Sequence, residues 1–169
     1  MLKKALLHLL FLISVSPLRA GGDSLIVYIF LSEGCPICQN VTPELNRVAE
    51  EFTGRNVRLI GIFPSAVSNE ESRKAFADKY RIKFKLMGDT GGSVTRKLNA
   101  STTPEVIVVE ASGEAVIYRG LIDDSYAAVG KRRKVSKLKY LKDALNKYLS
   151  TFESSTFTTP VGCKITLIP

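Results

Sequence analysis

Apolar residues along the chain follow two alternating rhythms. Leu25 to Leu31 is an unbroken apolar, β-branched and aromatic run, the pattern of a strand covered on both faces in a parallel sheet. It stops at Ser32-Glu33-Gly34. Val41, Leu45, Val48, Ala49 and Phe52 then recur at helical spacing until Gly54 closes the stripe, which predicts a helix opening near Cys35. Arg58 to Phe63 reads as a second strand, and Ser68 with Glu71 as a capping box for a helix reaching about Tyr80. Lys85 to Met87 is a short strand, Gly88 to Gly92 a turn, and Ser93 to Leu98 a short helix. The first half of the chain therefore alternates β and α.

The alternation then breaks. Glu105 to Glu110 and Ala115 to Arg119 flank Ser112-Gly113, so these two strands should form an antiparallel hairpin. A loop follows from Gly120 to about Val135. Leu138, Leu141, Leu145, Tyr148 or Leu149, and Phe152 mark an amphipathic C-terminal helix. Residues 153–169 form a Ser/Thr-rich tail with no sustained period, for which the sequence predicts no regular structure and in which Cys163 stands alone.

The N-terminus changes how charge and cysteine content are read. Met1 to Lys4 is basic, Ala5 to Val15 is mostly apolar, and Ser16 to Ala20 ends in a small residue. This is the layout of a secretory signal peptide over residues 1–20, with a core too short to span a bilayer. Its removal takes away Lys3, Lys4 and Arg19 and no acid, which lowers the formal charge from +8 to +5. It also removes His8, the single histidine. Triad hydrolysis, Cys-His proteolysis and histidine-ligated zinc or copper are then excluded, because each needs an imidazole. Export places Cys35, Cys38 and Cys163 where disulfides persist, and their odd number leaves one thiol over.

Chemistry concentrates at Cys35-Pro36-Ile37-Cys38, which follows a buried strand and opens a helix. The unpaired N–H groups and partial positive charge of a helix start stabilise a thiolate. Pro36 suits the first turn, where its missing N–H costs nothing. Cys38 lies one turn further in, within disulfide reach, so Cys35 would attack and Cys38 would resolve. Two other uses compete with this one. Zinc asks for four ligands, and one further cysteine without histidine does not complete the set. A purely structural disulfide is the stronger rival, although closing so short a loop constrains the unfolded chain little.

The order of strand, CPxC, helix, strand, helix, Thr103-Pro104 before a β-hairpin, and final helix resembles the thioredoxin superfamily over about Leu25 to Phe152. Pro43, five residues after Cys38, matches the proline inside that first helix. Thr42-Pro43-Glu44-Leu45 and Pro104-Glu105-Val106 resemble the exported TlpA-like and ResA-like redoxins, an AhpC/TSA-related branch. The resemblance implies a thioredoxin-like α/β fold with a central mixed β-sheet flanked by helices, over residues 21–152. It implies thiol-disulfide exchange with protein disulfides, no cofactor or metal, and re-reduction by a membrane-linked thiol donor. It makes Cys35 the nucleophile, Cys38 the resolving thiol and Pro104 a cis-proline lining the substrate groove, with Pro36, Thr103 and Glu105 in support. Two departures stand out. Glu33-Gly34 replaces the usual tryptophan before the motif, and the usual buried acid falls near apolar Ile29, which leaves Glu105 and Glu33 as candidate proton acceptors for Cys38. Ile37 supplies no histidine to stabilise the reduced form, which favours a reductant.

Three features pull elsewhere. Ser32-Glu33-Gly34-Cys35 also resembles the hydroxyl-x-x-Cys part of a peroxiredoxin site, with Arg119 as the arginine available to polarise a peroxide. The cluster Lys131-Arg132-Arg133-Lys134 with Lys137, Lys139, Lys142 and Lys147 invites a nucleic-acid or membrane reading. Export and the committed apolar stripe of the same helix favour a solvated face and no nucleic acid. Cys163 is a possible extra redox thiol, with four fates open: a disulfide with the motif, a second resolving role, a link between two chains, or a free thiol.

Overall fold

A computed structural model describes residues 25–113 and 115–167, so the signal-like segment lies outside the described residues. The apolar run forms β1 (Leu25–Phe30), followed by α1 (Pro36–Glu51), β2 (Val57–Phe63), α2 (Glu70–Tyr80), β3 (Lys85–Gly88) and α3 (Ser93–Leu98). A two-residue β4 (Thr102–Thr103) precedes the hairpin β5 (Glu105–Glu110) and β6 (Val116–Gly120). The loop after it contains a small hairpin, β7 (Tyr126–Ala128) with β8 (Lys131–Arg132), before α4 (Tyr140–Thr151). A last short strand, β9 (Cys163–Lys164), pairs with β4.

The main sheet runs β3-β2-β1-β5-β6, with β1 parallel to β2 and antiparallel to β5. It is the central mixed sheet that the resemblance implies. β1 was expected in a parallel sheet, but it sits between one parallel and one antiparallel neighbour. One face buries Val27, Ile29, Leu45, Val48, Phe52, Phe76, Leu141 and Leu145, drawn from β1, α1 and its end, α2 and α4. The other buries Phe30, Ile60, Ile62, Ile107 and Val109 under Val94 and Leu98 of α3 and Ile165 of the tail. Burial on both sides explains the lack of period-two alternation in β1 and β5.

Two local expectations change. The cap of α2 is Asn69, whose side chain accepts from the Ser72 N–H at 2.8 Å while Ser72 Oγ accepts from the Asn69 N–H at 3.1 Å. Ser68 is freed for another partner. The tail also departs from the sequence reading. The N–H groups of Ser155 and Thr158 donate to the carbonyls of Ile117 and Arg119, at 3.1 and 2.9 Å, and Ile165 N–H donates to Ser101 O at 2.9 Å. An edge strand with free carbonyls gives an aperiodic segment all the order it needs.

Part of the basic cluster is paired with neighbouring acids. Lys139 pairs with Glu44 and Asp123, Lys142 with Glu51, and Arg133 with Asp124. Among the described residues, no helix is long and apolar enough to cross a membrane, and no group of three or more His, Cys, Asp or Glu is arranged to hold a metal.

Candidate active site

β1 ends in the core and the chain turns sharply, which delivers Cys35 to the N-cap of α1 with φ −84° and ψ 113°. Pro36 occupies the first turn, as expected there. The Cys35 carbonyl accepts the first helical bond from Gln39 N–H at 3.1 Å. The same turn places Cys38 beside Cys35 on the inward face of the helix. Both are buried, at 2% and 0% exposure.

The sulfurs divide their protons unequally. Hydrogen bonding from the Cys38 thiol is the main cause that holds Cys35 at about 5, against an ordinary 9.0. Burial opposes it, while the Cys163 thiol and the N–H groups of Cys38 and Ile37 assist. Burial first, and the Cys35 sulfur second, push Cys38 well above its ordinary value. The same two causes push Cys163 up to about 11. At neutral pH the site is therefore a Cys35 thiolate accepting from two thiols, and a helix start can hold that charge.

The wall opposite is Thr103-Pro104, whose peptide bond is cis. The Thr103 carbonyl lies 3.3 Å from Cys35 Sγ and accepts from it when the thiol is protonated. Glu105 is buried at 1% exposure. Its carboxylate accepts from the N–H groups of Ser101 and Thr102 and pairs with Arg119 at 3.0 Å. Arg119 is spent on Glu105 and on the carbonyls of Leu98 and Asn99, at the α3 side of the sheet, while Cys35 belongs to the opposite cluster. The Glu33 carboxylate accepts from Ser68 Oγ at 2.6 Å and Ser72 Oγ at 2.8 Å, tying the loop before the motif to the start of α2.

Cys163 is brought to the motif from 128 positions away, with its Sγ 2.7 Å from Cys35 Sγ. β9 lies antiparallel to β4, with Cys163 opposite Thr103. Beside them runs a cleft of about 200 Å³, bounded by Ser32, Pro64, Ser65, Thr103, Cys163 and Ile165 among others. The sequence carried one usable signal for this arrangement, Gly162. A Cβ there would lie 2.1 Å from the Thr103 carbonyl oxygen, so only glycine lets the tail come this close to the cis-proline.

Comparison with known proteins agrees with this architecture. The chain resembles two chloroplastic peroxiredoxin Q proteins. That of Sedum lineare is 29% identical over 83 residues, covering 49% of this chain and 43% of the relative. That of Gentiana triflora is 29% identical over 84 residues, covering 50% and 37%. The chain thus spans less than half the length of these curated relatives. Among solved structures, a hypothetical protein of Sinorhizobium meliloti superposes with a TM-score of 0.74 at 22% identity, covering 87% of this chain and 81% of that one. A secreted Mycobacterium tuberculosis disulfide oxidoreductase homologous to Escherichia coli DsbE gives 0.54 at 19%, covering 74% and 81%. StoA of Bacillus subtilis gives 0.54 at 15%, covering 75% and 85%. The shared fold is thioredoxin-like. The AhpC/TSA family model matches residues 12–119, which carry β1 to β5 and most of β6 with Cys35, Cys38 and Pro104, and on that match the chain belongs to the AhpC/TSA family.

Proposed function

We propose that the protein is an exported thiol-disulfide oxidoreductase that reduces disulfides of protein substrates through Cys35 and Cys38. The observation that carries this reading is the pair of sulfurs at the start of α1, one held as a thiolate and the other kept protonated directly behind it. The Cys35 thiolate attacks a substrate disulfide. A Cys35–substrate bond forms and the first substrate thiolate leaves. Cys38 then attacks Cys35 Sγ, closes the Cys35–Cys38 bridge and releases the second substrate thiolate, which takes the proton that Cys38 gives up. A membrane-linked thiol donor returns the electron pair. Thr103 and cis-Pro104 form the wall against which an extended substrate lies, and Glu105 anchors that wall through the Ser101 and Thr102 N–H groups. The secreted oxidoreductase among the matched folds agrees with export.

Cys35→Ser is expected to abolish reduction of a model protein disulfide, and the double variant Cys38→Ser/Cys163→Ser, which has no second thiol beside Cys35, to accumulate mixed disulfides on Cys35. Full reductase activity in Cys35→Ser would overturn the proposal. The peroxiredoxin Q similarity favours a second reading, peroxide reduction at Cys35. Against it, Arg119 is held on the far side of the sheet by Glu105. Stoichiometric consumption of hydrogen peroxide by the reduced protein, faster than its attack on a protein disulfide, would reverse the order of the two.

A further inference from the structure

The tail meets the site as a substrate would. β9 adds to β4 as an antiparallel strand, with Ile165 N–H on Ser101 O and Thr103 Oγ1 donating to Cys163 O at 3.4 Å. Upstream it is fastened to β6. Thr158 Oγ1 accepts from Leu121 N–H at 2.8 Å and lies 2.8 Å from Tyr118 Oη, and a Cβ on Gly120 would fall 2.1 Å from that same oxygen. Strand addition to an open edge is a general way for an enzyme to hold an extended peptide. Here the peptide is the chain's own, and it carries a cysteine at the position facing the nucleophile.

We propose that β9 is a tethered occupant of the substrate groove and that Cys163 is a third redox-active thiol, which forms a disulfide with Cys35 and is the sulfur that external thiols attack. The proposal rests on the exchange reading above and adds a partner to it. Accessibility carries the second half. Cys35 and Cys38 are buried under the tail, whereas Cys163 is exposed and borders the 200 Å³ cleft. With the tail closed, an outside thiol meets Cys163 first.

After Cys35 has taken a substrate sulfur, the tail returns and Cys163 attacks Cys35 Sγ. The Cys35–Cys163 bond forms, the Cys35–substrate bond breaks, and the departing substrate thiolate accepts the Cys163 proton. Two protein thiols have become one disulfide and one substrate disulfide has become two thiols. For return, a donor thiolate attacks Cys163 Sγ, the donor–Cys163 bond forms, and the electron pair of the broken bond leaves on Cys35. Cys35 is the better leaving group, because its thiolate is the stabilised one. A second donor thiol then displaces Cys163 and leaves the donor as a disulfide. Cys38 faces the same Cys35 sulfur from behind, so the three thiols share a single bridge.

The test uses the full chain and its Cys38→Ser, Cys163→Ser and Gly162→Ala variants in buffers of oxidised and reduced glutathione, quenched with acid, alkylated and mapped by peptide mass. Cys38→Ser is expected to yield a Cys35–Cys163 linked peptide, and reduced glutathione is expected to place its adduct on Cys163. Gly162→Ala should lower the Cys35–Cys163 link about tenfold by lifting β9 from Thr103, and leave the Cys35–Cys38 bridge in place. Cys38→Ser carrying glutathione on Cys35, with Cys163 alkylated at every potential, would overturn the proposal. So would an adduct that builds on Cys35 during reduction. Cys163→Ser separates the two readings. A Cys35–Cys38 bridge there, with no link in Cys38→Ser, removes the third thiol and keeps the dithiol; no bridge in either removes both.

Discussion

Replacing Cys38 with alanine isolates the origin of the Cys35 thiolate. Donation from Cys38 is the largest cause that holds Cys35 at about 5, where an ordinary thiol titrates at 9.0. At pH 7 those two values correspond to thiolate fractions of about 99% and about 1%, a difference of about a hundredfold. Intrinsic nucleophilicity falls over the same interval by about 60-fold, given a Brønsted slope of about 0.45. The two effects nearly cancel at neutral pH, so one rate at one pH tests nothing and the titration carries the test. The assay is the ultraviolet absorbance of thiolate in the reduced protein. One thiol should titrate with a midpoint near 5, and no second one below about 9, because Cys163 is pushed up to about 11 and Cys38 is raised well above 9.0. In Cys38→Ala the low midpoint should move upward toward 9.0. A midpoint that stays near 5 in the variant would refute the role given to Cys38 and leave the helix start and Cys163 to hold the charge. A wild-type midpoint near 9 would refute the whole electrostatic picture.

The same displacement makes stability depend on pH. Cys35 is depressed in the folded state, so between about 5 and 9.0 the unfolded chain binds a proton that the native chain does not. The reduced protein should therefore gain about 1.4 kcal/mol per pH unit from this group on rising through that window, and lose it as pH falls toward 5. Above 9.0 the raised Cys163 and Cys38 act in the opposite sense. Urea titrations of the reduced protein and of a Cys35→Ser variant check the slope; equal slopes would contradict it. Glu105→Ala should cost about 2 kcal/mol by denaturant unfolding, because it removes the buried carboxylate that pairs with Arg119 and accepts from two N–H groups, leaving Arg119 only the Leu98 and Asn99 carbonyls. A loss below about 0.5 kcal/mol would show the pair to be dispensable. Gly120→Ala combines a φ of +133° with a clash against Thr158, and should cost about 2 kcal/mol and hasten alkylation of the motif thiols by freeing the tail. Unchanged alkylation would mean that the tail is not held at this point.

The sequence by itself determined the order of the elements and the place of the Cys35–Cys38 pair. Those signals are local: a continuous apolar run for β1, a 3.6-residue stripe for α1, and two cysteines one turn apart at a helix start. The hairpin of β5 and β6 follows from two strands joined by Ser112-Gly113, again within reach of a short window. Choices between near-equal local options were less legible. Ser68 and Asn69 both suit a helix cap, and the choice fell to Asn69 once the distant Glu33 carboxylate engaged Ser68 and Ser72.

What only the tertiary structure decided are the contacts made across long separations. Glu105 and Arg119 read separately as a candidate proton acceptor for Cys38 and a candidate peroxide ligand, and become one pair because β5 and β6 adjoin and the loop before Pro104 turns its N–H groups inward. Cys163 carries no periodic context, and its tail takes its order from hydrogen-bonding groups that other elements leave open. The carbonyls of β6, the edge at Thr102–Thr103, and the one approach that Gly162 permits bring it to Cys35. A pattern in sequence records what a segment needs buried. It does not record which edges, about 40 and about 60 residues away, will take that segment in.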